Sequence, residues 1–298
     1  MLMSAKKTLL KLSLLPVIGA SMLIHSAQAA EVKVGGKNFT EQLLVAEMTH
    51  QLLESKGFDS SKLDGMGTNV LRSAMENGQI DIYWEYTGTS LVIFNKIKDP
   101  MDSDASYAKV KELDAKKGIT WLNPSKANNT WAFAMRAEGH ENINSLSDLA
   151  RSYNDGVKPR MSFGAEFSKR ADGLRGLEKT YQFKVGRANY TLMDSGLIYN
   201  ALKEGHVDVG QVFATDGRIS AFNFRVLKDD AGFFPDYALV PTIRTETLNK
   251  HPELGDALNS ISAQLDDKTL QELNAKVDVG RKSVETVAKQ FLQDKGLI

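Results

Sequence analysis

The feature that most constrains the fold of this chain is a helix–turn–strand unit that occurs twice. The first copy reads Ser73-Ala74-Met75-Glu76-Asn77-Gly78-Gln79-Ile80-Asp81-Ile82 and the second Asn200-Ala201-Leu202-Lys203-Glu204-Gly205-His206-Val207-Asp208-Val209. Gly78 matches Gly205, and Asp81 matches Asp208. In each copy a helical run ends at a glycine suited to the left-handed C-cap, and a short branched apolar run follows. Eight residues past each glycine stands an aromatic, Tyr86 in the first copy and Phe213 in the second. A strand begun in this way finishes near those rings, and open α/β sheets place their ligand sites at strand ends. Two similar lobes would then each present an aromatic to one cleft; the plainer reading is that helix–strand units resemble one another in general.

The alternation extends along the chain. Val32–Gly36 reads as a strand, and Thr40 reads as the N-cap of a helix that runs to about Ser55 and stops at Gly57. A strand near Leu63, a helix over Asn69–Glu76 and a strand over Ile80–Tyr86 follow. Beyond them come a polar helix around Ser106–Lys117 and strands near Ile119–Trp121 and Trp131–Met135. Ser145 caps a short helix, Met161–Gly164 reads as a strand and Lys169–Tyr181 as a helix. After the second repeat unit, Leu239–Ile243 is a strand and everything past Pro252 is helical. Such alternation argues for α/β lobes with mainly parallel sheets flanked by helices. A chain that crosses out near Ala134–Ala137 and back near Val240–Thr245 divides into a first lobe of residues 30–135 and 241–298 and a second of 136–240, with the helical tail on the first. The two crossings would act as a two-segment hinge.

Residues 1–29 have the layout of a secretory signal peptide: Lys6, Lys7 and Lys11, then an apolar run from Leu12 to Ile24, then Ala27-Gln28-Ala29. That run is too short to span a bilayer, and a mature start near Ala30 is expected. Without those three lysines the 37 basic residues no longer balance the 37 acidic ones, and the net charge falls from zero to −3. There is no basic excess to attract nucleic acid. The chain has no cysteine, which excludes disulfides, thiolate metal sites and a lipid anchor on cysteine. Export without a tether points to the periplasm.

Catalytic signatures are lacking: there is no Gly-x-Ser-x-Gly elbow, phosphate loop or dinucleotide fingerprint. His50, His140, His206 and His251 are not paired at metal-ligand spacing, so neither a metal nor a cofactor is expected. Aromatics beside turn residues are the more distinctive signal. Tyr83, Trp84 and Tyr86 crowd one strand end, Trp131 follows Asn128-Asn129-Thr130, Phe213 precedes Thr215-Asp216-Gly217, and Tyr237 follows Phe233-Phe234-Pro235-Asp236. Rings facing each other across a cleft bind a cation that lacks hydrogen-bond donors, such as a quaternary ammonium. That chemistry predicts no protein cation nearby. Lys37 and Arg170 break the pattern unless the ligand is a zwitterion whose carboxylate they hold; Arg170 could instead pair with Glu166 at helical spacing.

Six blocks carry a family resemblance: Gly-Lys-Asn-Phe-Thr-Glu-Gln (36–42), Asp-Ile-Tyr-Trp-Glu-Tyr-Thr-Gly-Thr (81–89), Asn-Asn-Thr-Trp-Ala (128–132), Glu166 to Gly173, Ala-Thr-Asp-Gly-Arg (214–218) and Phe-Phe-Pro-Asp-Tyr (233–237). In order and together they resemble the substrate-binding proteins of osmoprotectant ABC transporters, which carry glycine betaine, choline, carnitine and related quaternary amines. The resemblance implies an α/β two-lobed periplasmic binding protein fold (type II) with an aromatic cage between the lobes. It puts Tyr86, Trp131, Phe213 and Tyr237 on that cage, and Lys37, Thr89, Arg170, Asn129 and Gln42 toward the ligand's polar end. Tyrosine is usual in the family where Trp131 and Phe213 stand. Tyr83 and Trp84 are assigned to packing. The implied partners are a small-molecule quaternary amine, glycine betaine first, and the membrane permease of an ABC transporter, with the protein a monomer that performs no chemistry. An exported α/β enzyme acting on a small amine is the alternative of another class.

Overall fold

Strand β1 (Val32–Lys37) leads into helix α1 (Thr40–Ser55), β2 (Ser60–Met66), helix α2 (Thr68–Glu76) and β3 (Ile82–Tyr86) in the computed structural model, which describes Met1, residues 31–97 and residues 101–298. The leader expected over residues 1–29 lies, Met1 apart, outside the described residues. β1 pairs in parallel with β2 and with β3, which the two intervening helices allow by acting as crossovers. A helix over Ser103–Ala115 and β4 (Ile119–Trp121) complete the first pass.

The chain then builds a second sheet from β5 (Trp131–Arg136), β6 (Met161–Phe163), β7 (Tyr190–Leu192), β8 (Val209–Phe213) and β9 (Phe224–Val226), and returns as β10 (Leu239–Arg244) to the first. The orders are β2-β1-β3-β10-β4 and β7-β6-β8-β5-β9. β10 runs against both its neighbours, as β5 does against its own, so in each sheet four strands share a direction and one opposes them. Replacing β1, β2, β3, β10 and β4 by β6, β7, β8, β5 and β9 turns one order into the other.

The duplicated unit is therefore part of a duplicated sheet. Gly78 and Gly205 both take positive φ, 71° and 77°. Asp81 accepts the Lys33 backbone N–H at 3.0 Å, and Asp208 accepts that of Arg160 at 2.9 Å, so each aspartate fastens the start of one parallel strand to its neighbour. Each is also faced by an arginine from the opposed strand, Arg244 at 3.7 Å and Arg136 at 3.6 Å.

All five residues of β3 are buried, because helices cover both faces of the sheet. Trp84 and Tyr86 point toward α1 and Tyr83 toward the opposite layer, as strand alternation requires. Trp84 is core, its indole N–H donating to Thr49 Oγ1 at 2.9 Å. The C-terminal helices, Glu253–Ser262, Asp267–Asp278 and Val284–Asp294, pack on the first lobe, where Ile261, Leu270 and Leu292 meet Leu44, Met48 and Trp84. Among the described residues no helix is long and apolar enough to cross a membrane.

Three expectations are corrected. The crossings come earlier than residues 135 and 240, because Trp131–Arg136 belongs wholly to the second sheet and Leu239–Arg244 wholly to the first; strand pattern reveals a strand but not its partner. The helix expected over Lys169–Tyr181 is confined to Leu174–Thr180, with turns over residues 165–173. Thr40 is the first residue of α1 and does not cap it, its hydroxyl donating instead to Asp278 at 2.7 Å.

The shared turn geometry yields a paired prediction. Gly78→Ala and Gly205→Ala should each cost about 1–2 kcal/mol, since a Cβ is strained in the left-handed region. The loss should be larger at Gly78, where that Cβ would come within 3.0 Å of the Arg244 guanidinium, than at Gly205, where Arg136 stands 3.7 Å away. Urea denaturation of the two variants checks both the sign and the order.

Candidate functional site

The two crossing segments pair with each other, and this places the site. Leu239 N–H donates to Ala127 O at 3.2 Å, Asn129 N–H to Tyr237 O at 3.1 Å, and Tyr237 N–H to the Asn128 side chain at 2.8 Å. β10 then pairs Leu239 with Tyr86, and β5 pairs Trp131 with Phe213. The strand ends, the two crossings and the four rings thus converge on one place between the sheets. A cavity of about 420 Å³ lies there, lined by Tyr86, Trp131, Phe213 and Tyr237 and by Lys37, Thr89, Asn129 and Arg170. Its size is that of an ordinary small-molecule site. Gln42 is the exception among the expected residues: it is fully buried beneath the cavity, does not line it, and its amide atoms find no partner among the described residues.

The rings do not stand apart from protein cations, contrary to the expectation for a bare cage. Lys37 Nζ lies 4.8 Å from the centroid of Tyr86, and the Arg170 guanidinium 4.4 Å from that of Trp131. Each cation is already matched. Lys37 contacts Glu85 at 2.5 Å with both side chains buried, and Arg170 forks onto Asp172 at 2.8 and 2.5 Å. Burial pushes the Lys37 ammonium below its ordinary pKa, with Glu85 acting against that shift. Burial also works against the Arg170 charge, but Asp172 more than offsets it and the guanidinium is held above its usual range. Arg170 stands in a turn ahead of the helix and not at its N-terminus, and its side chain pairs with Asp172 rather than with Glu166.

Four groups escaped the sequence reading. Phe39 stacks on Phe213 at 5.1 Å between centroids and 9° between planes, and on Tyr86 at 6.3 Å, so it joins the wall, as Phe167 does beside Trp131. It lies in the loop between β1 and α1, inside the block 36–42, so the signal was present. Glu41 is buried behind Tyr86 and accepts its hydroxyl at 2.8 Å. Glu166 reaches from the second lobe to the start of α2, accepting the Thr68 N–H at 3.1 Å and its hydroxyl at 2.9 Å. Gln211 lines the cavity from β8 and accepts the Gly164 N–H at 2.9 Å. No group of three or more histidine or acidic side chains able to hold a metal occurs among the described residues.

Two mixed α/β lobes joined by two crossings, with an aromatic and charged cavity between them, define a two-lobed solute-binding protein. The chain belongs to the family described as the substrate binding domain of ABC-type glycine betaine transport system, whose model matches residues 30–294. This is a transport family of extracytoplasmic binding components, not an enzyme family. The chain is 41% identical over 280 residues to a glycine-betaine-binding protein of Pseudomonas aeruginosa, covering 91% of this chain and 90% of that one. It is 35% identical to the glycine betaine-binding protein YehZ of Escherichia coli, covering 94% and 95%. The solved structure of apo YehZ superimposes with a TM-score of 0.66 over 91% of this chain and 100% of that one. The crystal structure of a glycine betaine/carnitine/choline ABC transporter, 28% identical, gives 0.72 over 89% and 99%.

Removing one partner of a buried ion pair leaves the other charge unmatched, at a cost of about 3–5 kcal/mol. Glu85→Ala should therefore destabilise the fold by about that much through the stranded Lys37, whereas Glu85→Ala with Lys37→Met should recover a large part of it. Denaturant titration of the single and double variants checks the coupling; equal stabilities would separate Lys37 from Glu85.

Proposed function

We propose that this protein is a periplasmic solute-binding protein that captures a trimethylammonium zwitterion, glycine betaine first, between its lobes and delivers it to the membrane permease of an ABC transporter. The observation that carries the reading is the convergence of Tyr86, Trp131, Phe213 and Tyr237 with Lys37 and Arg170 on one cavity. A methylated ammonium offers no hydrogen-bond donor, so aromatic faces recognise it by cation–π attraction. The ligand's carboxylate has Arg170 and Lys37 to meet, with Thr89 and Asn129 beside them. Choline and carnitine share the trimethylammonium head and are the second reading, supported by the named ligands of the 28%-identical structure.

Closure in this reading swings the lobes about the two paired crossings. A ligand that touches both lobes gives the closed state a differential affinity, which is what shifts the equilibrium. Two exposed apolar side chains in equivalent positions of the repeat, Val70 on α2 and Leu197 on the helix Ser195–Lys203, are 61% and 58% exposed. Each stands two residues past a helix start, Thr68 or Ser195, that lines the cavity. They suit a permease that reads both lobes of the closed form at once.

Calorimetric titration tests the ligand. Trp131→Ala should weaken betaine binding by on the order of 1–2 kcal/mol, and an unchanged affinity would remove the ring from the site. Arg170→Ala should harm betaine far more than choline; equal losses would remove Arg170 from the carboxylate end. A transport assay with the cognate permease tests docking: Val70→Glu and Leu197→Glu should leave betaine affinity unchanged and abolish uptake. Full uptake by both variants would refute the docking surface.

A further inference from the structure

Two rings of the cavity are backed by buried carboxylates. Tyr86 gives its phenolic hydrogen to Glu41 at 2.8 Å, and Tyr237 gives its own to Asp172 at 2.5 Å. The two acids differ in what balances them. Asp172 holds the Arg170 fork. Glu41, only 2% exposed, is met by neutral groups alone: the Tyr86 hydroxyl and the Asn129 amide at 2.9 Å on Oε1, the Thr215 hydroxyl and the Asn274 amide at 3.5 Å on Oε2. Among the described residues no lysine or arginine pairs with it, and Lys37, the nearest cation to the Tyr86 ring, is matched to Glu85.

A buried carboxylate without a counter-charge is costly, and proteins keep one where something else supplies the charge. Four donors aimed at two oxygens match an ionised acceptor, which takes up to about four hydrogen bonds and gives none. Burial pushes the Glu41 carboxyl above its ordinary pKa, and the four neutral donors pull against it. Those donors come from β3, from the first crossing, from the second lobe after β8 and from the helix Asp267–Asp278.

We propose that Glu41 is the counter-charge of the cage: a positioning residue that, through the Tyr86 hydroxyl, fixes that ring and supplies the negative field by which the cavity prefers a quaternary ammonium to an uncharged group of the same shape. The inference rests on the trimethylammonium reading above and names the residue that sets its charge selectivity. A phenol that donates to a carboxylate gains electron density, so the face it offers to a cation becomes more negative. The charge also acts directly, and at an effective dielectric near 20 a unit charge anywhere within about 10 Å changes affinity by on the order of tenfold or more.

The test compares glycine betaine with tert-butylacetate, in which carbon replaces the nitrogen and the shape and carboxylate are kept. Calorimetry of the full-length wild type should show a strong preference for betaine. Glu41→Gln, which keeps an acceptor for Tyr86 and loses the charge, should shrink that preference by roughly tenfold or more through weaker betaine binding, with tert-butylacetate unchanged. A loss shared equally by both ligands is what a merely structural Glu41 would give, and it would overturn the proposal. If Glu41→Gln does not fold, Tyr86→Phe carries the test: it leaves Glu41 in place, removes the hydroxyl link and should narrow the preference in the same sense. A wild-type preference retained in Tyr86→Phe would overturn the link through the ring. A wild type that binds neither ligand would instead refute the trimethylammonium reading, and the proposal with it.

Discussion

The pairing of the two crossing segments is the constraint on which the rest of the molecule depends. Backbone bonds between Ala127–Asn129 and Tyr237–Leu239 lock the two passages of chain side by side. They set where β5 leaves the first lobe and where β10 returns to it. Because Trp131 starts β5 and Tyr237 stands two residues ahead of β10, the same bonds deliver both rings to the cavity, one from each crossing. Tyr86 and Phe213 arrive by another route, as the last residues of the equivalent strands β3 and β8. The paired crossings thus supply two rings of the cavity wall as well as joining the lobes, and the proposed ligand would bear on both.

The second organising fact is electrostatic. Lys37, Glu85, Arg170, Asp172 and Glu41 are nearly all withdrawn from water, where an isolated charge is expensive. Lys37 and Arg170 are answered by carboxylates within 2.5 Å, and each lies over a ring of the cage. Such pairs add little net stability against apolar replacements, and their value here is placement. They hold two cations at fixed positions beside the aromatic faces, each matched by a carboxylate, which is the placement the proposed zwitterion site requires. Contacts across the cleft, from Glu166 to Thr68 and from Thr215 to Glu41, close the cavity with polar groups drawn from both lobes.

Much of this was legible in the sequence because the repeat carries it. The Gly78–Asp81 and Gly205–Asp208 turns, the strand ends at Tyr86 and Phe213 and the helical tail are local patterns, and local patterns are what a sequence displays. Partner choice is not local: that Trp131–Arg136 pairs with Val209–Phe213, and not with the first sheet, is decided by contacts far away in sequence. The site divides in the same way. Rings next to turns announced themselves. Glu41 and Glu166 look like ordinary acidic residues near helix starts, and only the approach of distant segments shows one behind Tyr86 and the other spanning the cleft. Gln42, adjacent to Glu41, was expected at the ligand for the same reason, yet it is fully buried and does not line the cavity, a placement set by packing that the sequence does not spell out.

Whether the cavity takes a methylated ammonium decides what the protein carries. Isothermal titration of the purified chain, unfolded and refolded to remove any carried-over ligand, measures this directly with glycine betaine, choline and carnitine in parallel. Saturable binding of one molecule of betaine per chain, tighter than that of choline, is the predicted result. The absence of a binding signal from all three ligands in a folded sample would contradict it.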